Sequence, residues 1–321
     1  RNPLAFGFII VDEASMVGTG LFKSLISARP RNGCMLLIGD VNQLSPVEYG
    51  SPLRDLISGG LPYGELREIH RNSGSIVRVC SAIVDGMPWE PDARHDLEAQ
   101  DPKNLVIARA SKHQAQQKVL DVLRYIRDGL YFDPIWDTQV LVAVNDNSPL
   151  SRKSLNVVIR DLLNPATADE VAKPISPFRV GDKVVETQRE FLPLVEWRQF
   201  VNEDGLCNKE SAATRMKTIV YKGEFGSVVA VEENRTVVLF RNPDREVMVY
   251  CGKAQNDDDD KDLWLTDRDD TGTGCNLDLG YAVTVHRMQG SQAPVIVYCL
   301  DESTGATGIN GVCDRSHLYT G

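Results

Sequence analysis

The chain has 321 residues, 42% hydrophobic and 25% charged, with a formal net charge of −10. That composition belongs to a globular protein with room for two or three cored domains, and it excludes a disordered or collagen-like chain. No apolar run approaches the length of a membrane span, and seven cysteines without a Cys-x-x-Cys pair argue against a zinc site or disulfide framework and fit a reducing cytoplasm.

In chain order, Phe6–Val11 and Cys34–Ile38 are continuous apolar runs, each ending in an acidic or Gly-Asp turn. Such runs predict strands buried on both faces, as in a parallel sheet. Helical spacing covers Gly20–Ala28 between them, and Leu53–Ile57 starts a short helix stopped by Gly59-Gly60. Helices are predicted over Ser75–Asp85, Ser111–Asp128 and Leu150–Leu163, with strands at Asn104–Ala108 and Gln139–Val144. This alternation implies a second doubly wound unit. The texture changes after Pro165. Short alternating segments at Asp182–Gln188, Thr218–Tyr221, Gly226–Glu232, Thr236–Phe240 and Glu246–Tyr250 predict a small β-barrel, with residues 189–216 as a loop insertion. Residues 255–274 hold eight Asp against Lys261 and Arg268, so −6 of the net charge lies there, and Asp257–Asp260 reads as a solvated loop. The remaining imbalance is mild enough to permit a locally positive groove for nucleic acid. The α/β texture resumes at Leu277, with a strand at Val295–Leu300.

The chemistry starts at Asp12-Glu13. In open α/β sheets, ligands bind beyond the carboxyl ends of strands. An acidic pair there can hold Mg²⁺ through one carboxylate and activate water with the other. Taken alone, it reads as readily as a solvated strand end. The second strand runs into Gly39-Asp40-Val41-Asn42-Gln43-Leu44-Ser45-Pro46-Val47, where Gly39 permits a tight turn and Gln43 could touch a phosphate or water.

The two segments together resemble motifs II and III of superfamily 1 helicases, in the RecD-like (exonuclease V alpha subunit-like) form. That resemblance implies that Asp12 binds Mg²⁺, Glu13 is the catalytic base and Gln43 senses the γ-phosphate, with Asp40 beside them. Glu68-Ile69-His70-Arg71 is similar to motif IV, whose arginine, here Arg71, reaches the γ-phosphate. Phe178–Val184 and Lys222–Gly226 resemble parts of the family's SH3-like barrel. Gly280–Gln292 resembles motif V, which implies that Thr284, His286, Arg287, Gln289 and Ser291 contact single-stranded DNA and that Gly290 lies near the nucleotide. Asp314–Gly321 looks like the opening of motif VI.

No G-x-x-x-x-G-K-[ST] phosphate loop occurs in these 321 residues. In the family that loop precedes motif II. The chain is therefore expected to be a fragment, cut at both ends and unable to hydrolyse ATP alone. The expected fold class is α/β, with RecA-like P-loop NTPase motor domains and an inserted small SH3-like β-barrel. Residues 1–68 would be the C-terminal part of the first motor domain, residues 69–172 with 275–321 the second, and residues 173–274 the barrel with its acidic loop. The implied function is an ATP-dependent DNA helicase, with translocation 5′ to 3′ expected by family resemblance. ATP and Mg²⁺ would be its cofactors, single-stranded DNA and other recombination or replication proteins its partners, and the cytoplasm its location, with no membrane partner. Two alternatives stay open: a related RNA or relaxase-associated motor, and a non-hydrolysing module that binds nucleic acid or a protein partner.

Overall fold

The computed structural model describes residues 3–66, 74–168, 176–201, 207–232, 234–251, 275–301 and 311–321. They gather into two compact units. One comprises Arg1–Gln114, Gln289–Gln292 and Leu300–Gly321, and the other Ala115–Met288 and Ala293–Cys299. The helices are α1 (Thr19–Ala28), α2 (Pro52–Ser58), α3 (Gly74–Asp85), α4 (Ala115–Gly129), α5 (Arg152–Leu163), α6 (Val285–Met288) and α7 (Arg315–Thr320).

In the first unit, β1 (Phe8–Val11) and β2 (Cys34–Leu37) pair in parallel, Phe8 opposite Cys34 and Val11 opposite Leu37. The sequence predicts burial on both faces. Instead Phe8, Ile10 and Leu36 are exposed while their neighbours are half-buried. Two strands and α1, which contributes no fully buried residue, offer too little surface to cover both faces. Pro52 opens α2, where its fixed φ and missing N–H cost nothing. Gly74 opens α3 at φ 66°, and a Cβ there would collide with the Pro102 carbonyl oxygen at 1.9 Å. Glycine is thus required where α3 meets the 102 loop, which also accepts the Ser75 N–H at 3.0 Å. The strand expected at Asn104–Ala108 is absent. Lys103 and Val106 make only isolated bridges to Asp96 and Asp92. Val106 and Ile107 are exposed, so that apolar run finds no sheet to join.

The second unit carries a parallel sheet of three strands, with β3 (Thr138–Val142) between β11 (Ala282–Thr284) and β12 (Val295–Cys299). Its core gathers Val119, Leu123 and Ile126 from α4, Val140 and Val142 from β3, and Leu155 and Ile159 from α5. These are the inward positions the helical periodicity predicts for α4. The helix itself starts at Ala115, after a 3-10 turn over Lys112–Gln114.

Between α5 and β11 in chain order lies an antiparallel sheet. Its strands are β4 (Lys183–Glu186), β5 (Glu190–Val201), β6 (Cys207–Val220), β7 (Phe225–Glu232), β8 (Arg235–Phe240), β9 (Arg245–Tyr250) and β10 (Leu277–Leu279), in the order β10-β4-β7-β8-β9-β5-β6. Val184, Leu192, Val220, Val238, Phe240 and Val247 fill its core. Within residues 189–216, expected as a loop, Glu190–Val201 form β5 and pair antiparallel with β6, which starts at Cys207. Among the described residues no helix is long and apolar enough to cross a membrane.

Candidate functional site

The acidic turn is built by the ends of two strands. Ile38 N–H donates to the Val11 carbonyl at 2.8 Å, and Ala14 N–H to the Ile38 carbonyl at 2.7 Å. This lays the chain after β2 directly against the chain after β1. A Cβ on Gly39 would approach the Ser15 nitrogen to 2.7 Å and the Ala14 nitrogen to 3.1 Å, so the contact needs glycine. Asp12 is exposed, and its Oδ1 accepts the Glu13 N–H at 2.9 Å. Glu13 is half-buried at φ 49° and ψ 40°, a left-handed conformation rare outside glycine and asparagine. The Ser15 hydroxyl beside them is buried and makes no hydrogen bond among the described residues.

The loop after Gly39 is held from several directions. Asp40 Oδ1 accepts the Asn42 N–H at 2.8 Å, and Arg54 Nη2 donates to the Val41 carbonyl at 2.7 Å. Tyr319 Oη on α7 donates to Asp40 Oδ2 at 2.8 Å. Leu44 N–H donates to Thr320 Oγ1 at 3.0 Å. Gln289 Nε2 donates to Gln43 Oε1 at 3.3 Å. Burial and the Asp40 carboxylate push the Tyr319 phenol up. Burial, and then Asp40, likewise raise the Cys80 thiol. A shallow pocket opens here between Ser15, Asp40, Gln43, Leu53 and Arg54.

Among the described residues no three His, Cys, Asp or Glu side chains converge on one point. A metal at this turn would therefore be held by one or two carboxylates, with water and phosphate oxygens completing its shell. Mg²⁺ binds in that way, and the free Asp12 Oδ2 suits it.

The second cluster lies around β11. Asn156 on α5 grips this strand with both ends of its amide: Ala282 N–H donates to Oδ1, and Nδ2 donates to the Ala282 carbonyl, both at 2.9 Å. Gln139 Nε2 donates to the Gly280 and Tyr281 carbonyls at 3.2 and 3.1 Å. Tyr281 Oη donates to Asp182 Oδ1 at 3.0 Å, and burial raises both groups. The chain then turns into α6, with Thr284 half-buried and His286 exposed. Arg287 lies 3.9 Å from Asp278, whose carboxylate also pairs with the buried Arg152. Gly290 takes φ 81°, and Gly290 and Ser291 are exposed.

Asp12, Glu13, Asp40, Gln43, Gln289, Gly290 and Ser291 thus belong to the first unit, and Thr284, His286 and Arg287 to the second. Arg71 lies outside the described residues. Sequence reasoning missed Tyr319 and Thr320 as partners of the loop 40–44. Nothing local marks them, because the contacts span more than 270 positions.

Residues 5–113, which contain the acidic turn and the Asp40–Leu44 loop, match the family described as AAA domain. Over most of its length the chain is also similar in sequence to RecD proteins. It is 27% identical over 307 residues to the ATP-dependent RecD2 DNA helicase of Deinococcus radiodurans, an alignment covering 94% of this chain and 33% of that protein. It is 23% identical over 342 residues to the RecBCD enzyme subunit RecD of Haemophilus influenzae, covering 100% of this chain and 50% of that subunit. The chain therefore spans a third to a half of these relatives. Superposition on the Pif1 helicase from Bacteroides in complex with ADP-AlF3 and ssDNA covers 98% of this chain and 67% of that one, at 16% identity and a TM-score of 0.49.

Proposed function

We propose that the chain is the central part of an ATP-dependent DNA helicase motor that moves 5′ to 3′ on single-stranded DNA. In this reading Asp12 holds Mg²⁺ and Glu13 takes the proton from the attacking water. Gln43 contacts the γ-phosphate, with Asp40 and Gly290 in the nucleotide site and Arg71 contributing positive charge. Thr284, His286, Arg287, Gln289 and Ser291 face the DNA backbone, where small polar and cationic groups bind phosphate without reading sequence. ATP and Mg²⁺ supply the phosphoryl chemistry when bound.

The observation that carries this reading is the hydrogen bond between Gln289 and Gln43. It ties a residue of the DNA-facing segment to the residue proposed to sense phosphate, so a shift of either is felt by the other. A motor would use such a link to couple the two segments. The reading also includes two RecA-like domains, residues 1–68 and residues 69–172 with 275–321. Residues 173–274 form an SH3-like barrel inserted in the second. No glycine-rich phosphate loop lies within the 321 residues, so this stretch by itself should not hydrolyse ATP at a useful rate. DNA-stimulated turnover by it alone would overturn that point.

The test is ATP hydrolysis by the full-length protein, with and without single-stranded DNA, beside Glu13→Gln. Loss of a general base should lower turnover by roughly 10²–10⁴-fold while nucleotide binding persists. A variant as active as the wild type would refute the assignment of Glu13.

A further inference from the structure

We propose that Cys251 and Cys275 are a redox modification site, forming a reversible disulfide at the point where the chain leaves the antiparallel sheet after β9 and returns to it at β10. Cys251 directly follows β9, and Cys275 stands two residues before the start of β10. Both are 5% exposed and belong to the core cluster of that sheet. Cys251 Sγ donates to Cys275 Sγ at 2.8 Å. That is closer than even carbon atoms pack, about 3.5–4.0 Å. A bond of about 2.05 Å needs the sulfurs to close by less than an ångström.

The backbone at Cys251 and next to Cys275 is held by hydrogen bonds. Cys251 N–H donates to the Asn234 carbonyl at 3.0 Å, and the Asn276 carbonyl accepts both the N–H and the hydroxyl of Thr187 at 2.8 Å. The cross-link therefore asks for side-chain adjustment and leaves the sheet register alone. It would also close residues 252–274 into a covalent loop, and that stretch includes all eight Asp of 255–274.

The oxidant is a small-molecule disulfide such as oxidised glutathione. One protein thiolate attacks a sulfur of the glutathione disulfide and releases one glutathione thiol, leaving a mixed disulfide. The second protein thiolate attacks the protein sulfur of that mixed disulfide and releases the second glutathione thiol. The two protein thiols lose two electrons and two protons, and the oxidant gains both. A dithiol reductant reverses the sequence.

The experiment treats the folded protein with oxidised glutathione in thiol-free buffer, blocks remaining thiols with N-ethylmaleimide, and maps peptides without reduction. The proposal expects the peptides holding Cys251 and Cys275 to be joined with loss of two hydrogens and released by dithiothreitol. It also expects a melting midpoint higher by roughly 5–10 °C after oxidation. Cys251→Ser should abolish the link while the exposed Cys34 reacts as before. If that variant fails to fold, the wild-type map alone decides. Recovery of Cys251 and Cys275 as separate alkylated thiols, joining to other cysteines, or joining only in denaturant would each overturn the proposal.

Discussion

Glu186 shows how one residue can shape the behaviour of the whole sheet. It is fully buried, and its carboxyl is pushed up to about 8, mainly by burial and then by Glu190. Its Oε2 accepts no hydrogen bond among the described residues, so no donor there favours the charged form. The folded chain thus keeps a proton that the unfolded chain releases near 4.5. This contribution to stability is full below that pH and is lost as pH rises towards 8, with a slope no steeper than about 1.4 kcal/mol per pH unit. Lys183 has the opposite sign. Burial lowers its ammonium from 10.5 to about 8, so stability recovers above that pH as both states lose the charge. Urea midpoints measured across this range should pass through a shallow minimum near pH 8, and Glu186→Gln should flatten the acid-side slope. An unchanged slope in that variant would show that Glu186 does not carry the effect. Gly39, Asp12 and Glu13 were legible at this scale, because their spacing after an apolar run is local information. The titrations of Glu186 and Lys183 were not, because burial depends on what packs around them.

At the scale of elements, α5 and α7 act as clamps. Asn156 on α5 satisfies both backbone groups of Ala282 in β11. Asn156→Ala would leave a buried N–H and C=O unpaired and should cost about 2–4 kcal/mol, read as a lower denaturant midpoint. A loss under about 0.5 kcal/mol would mean that other groups or water replace the amide. On α7, Tyr319→Phe keeps the ring and removes one hydrogen bond to Asp40, for a cost of about 1 kcal/mol. If the loop 40–44 serves the nucleotide, that variant should also weaken ATP binding in the full-length protein more than DNA binding, which titration of each ligand would resolve. Helices α1 to α5 and the strands β4, β7, β8 and β9 were readable from periodicity, while α6, α7 and β10 were not. The β5–β6 hairpin was not. Pro193 sits at a register shift in β5, where a strand tolerates it, and β6 carries Asn208, Lys209, Glu210, Ser211 and two alanines, a poor strand composition. Pairing with β9 and the core contacts of Leu192 and Val220 override that weak propensity.

For the molecule as a whole, the order of motifs along the chain said more than its charge. A net charge of −10 points away from nucleic acid, yet −6 of it falls in residues 255–274. The match of residues 5–113 to an AAA domain and the similarity to RecD proteins follow the motif order instead. Sequence could place Asp40–Leu44 and Gln289 in separate motifs, but their contact is a product of folding. The central claim is that these motifs convert ATP hydrolysis into movement along DNA. Its most direct test is strand displacement by the full-length protein on a duplex with a 5′ or a 3′ single-stranded tail, with ATP or a non-hydrolysable analogue, beside Glu13→Gln. The account predicts displacement of the 5′-tailed duplex with ATP alone and none by the variant. Displacement with the analogue, equal activity of Glu13→Gln, or no displacement under any condition would contradict it.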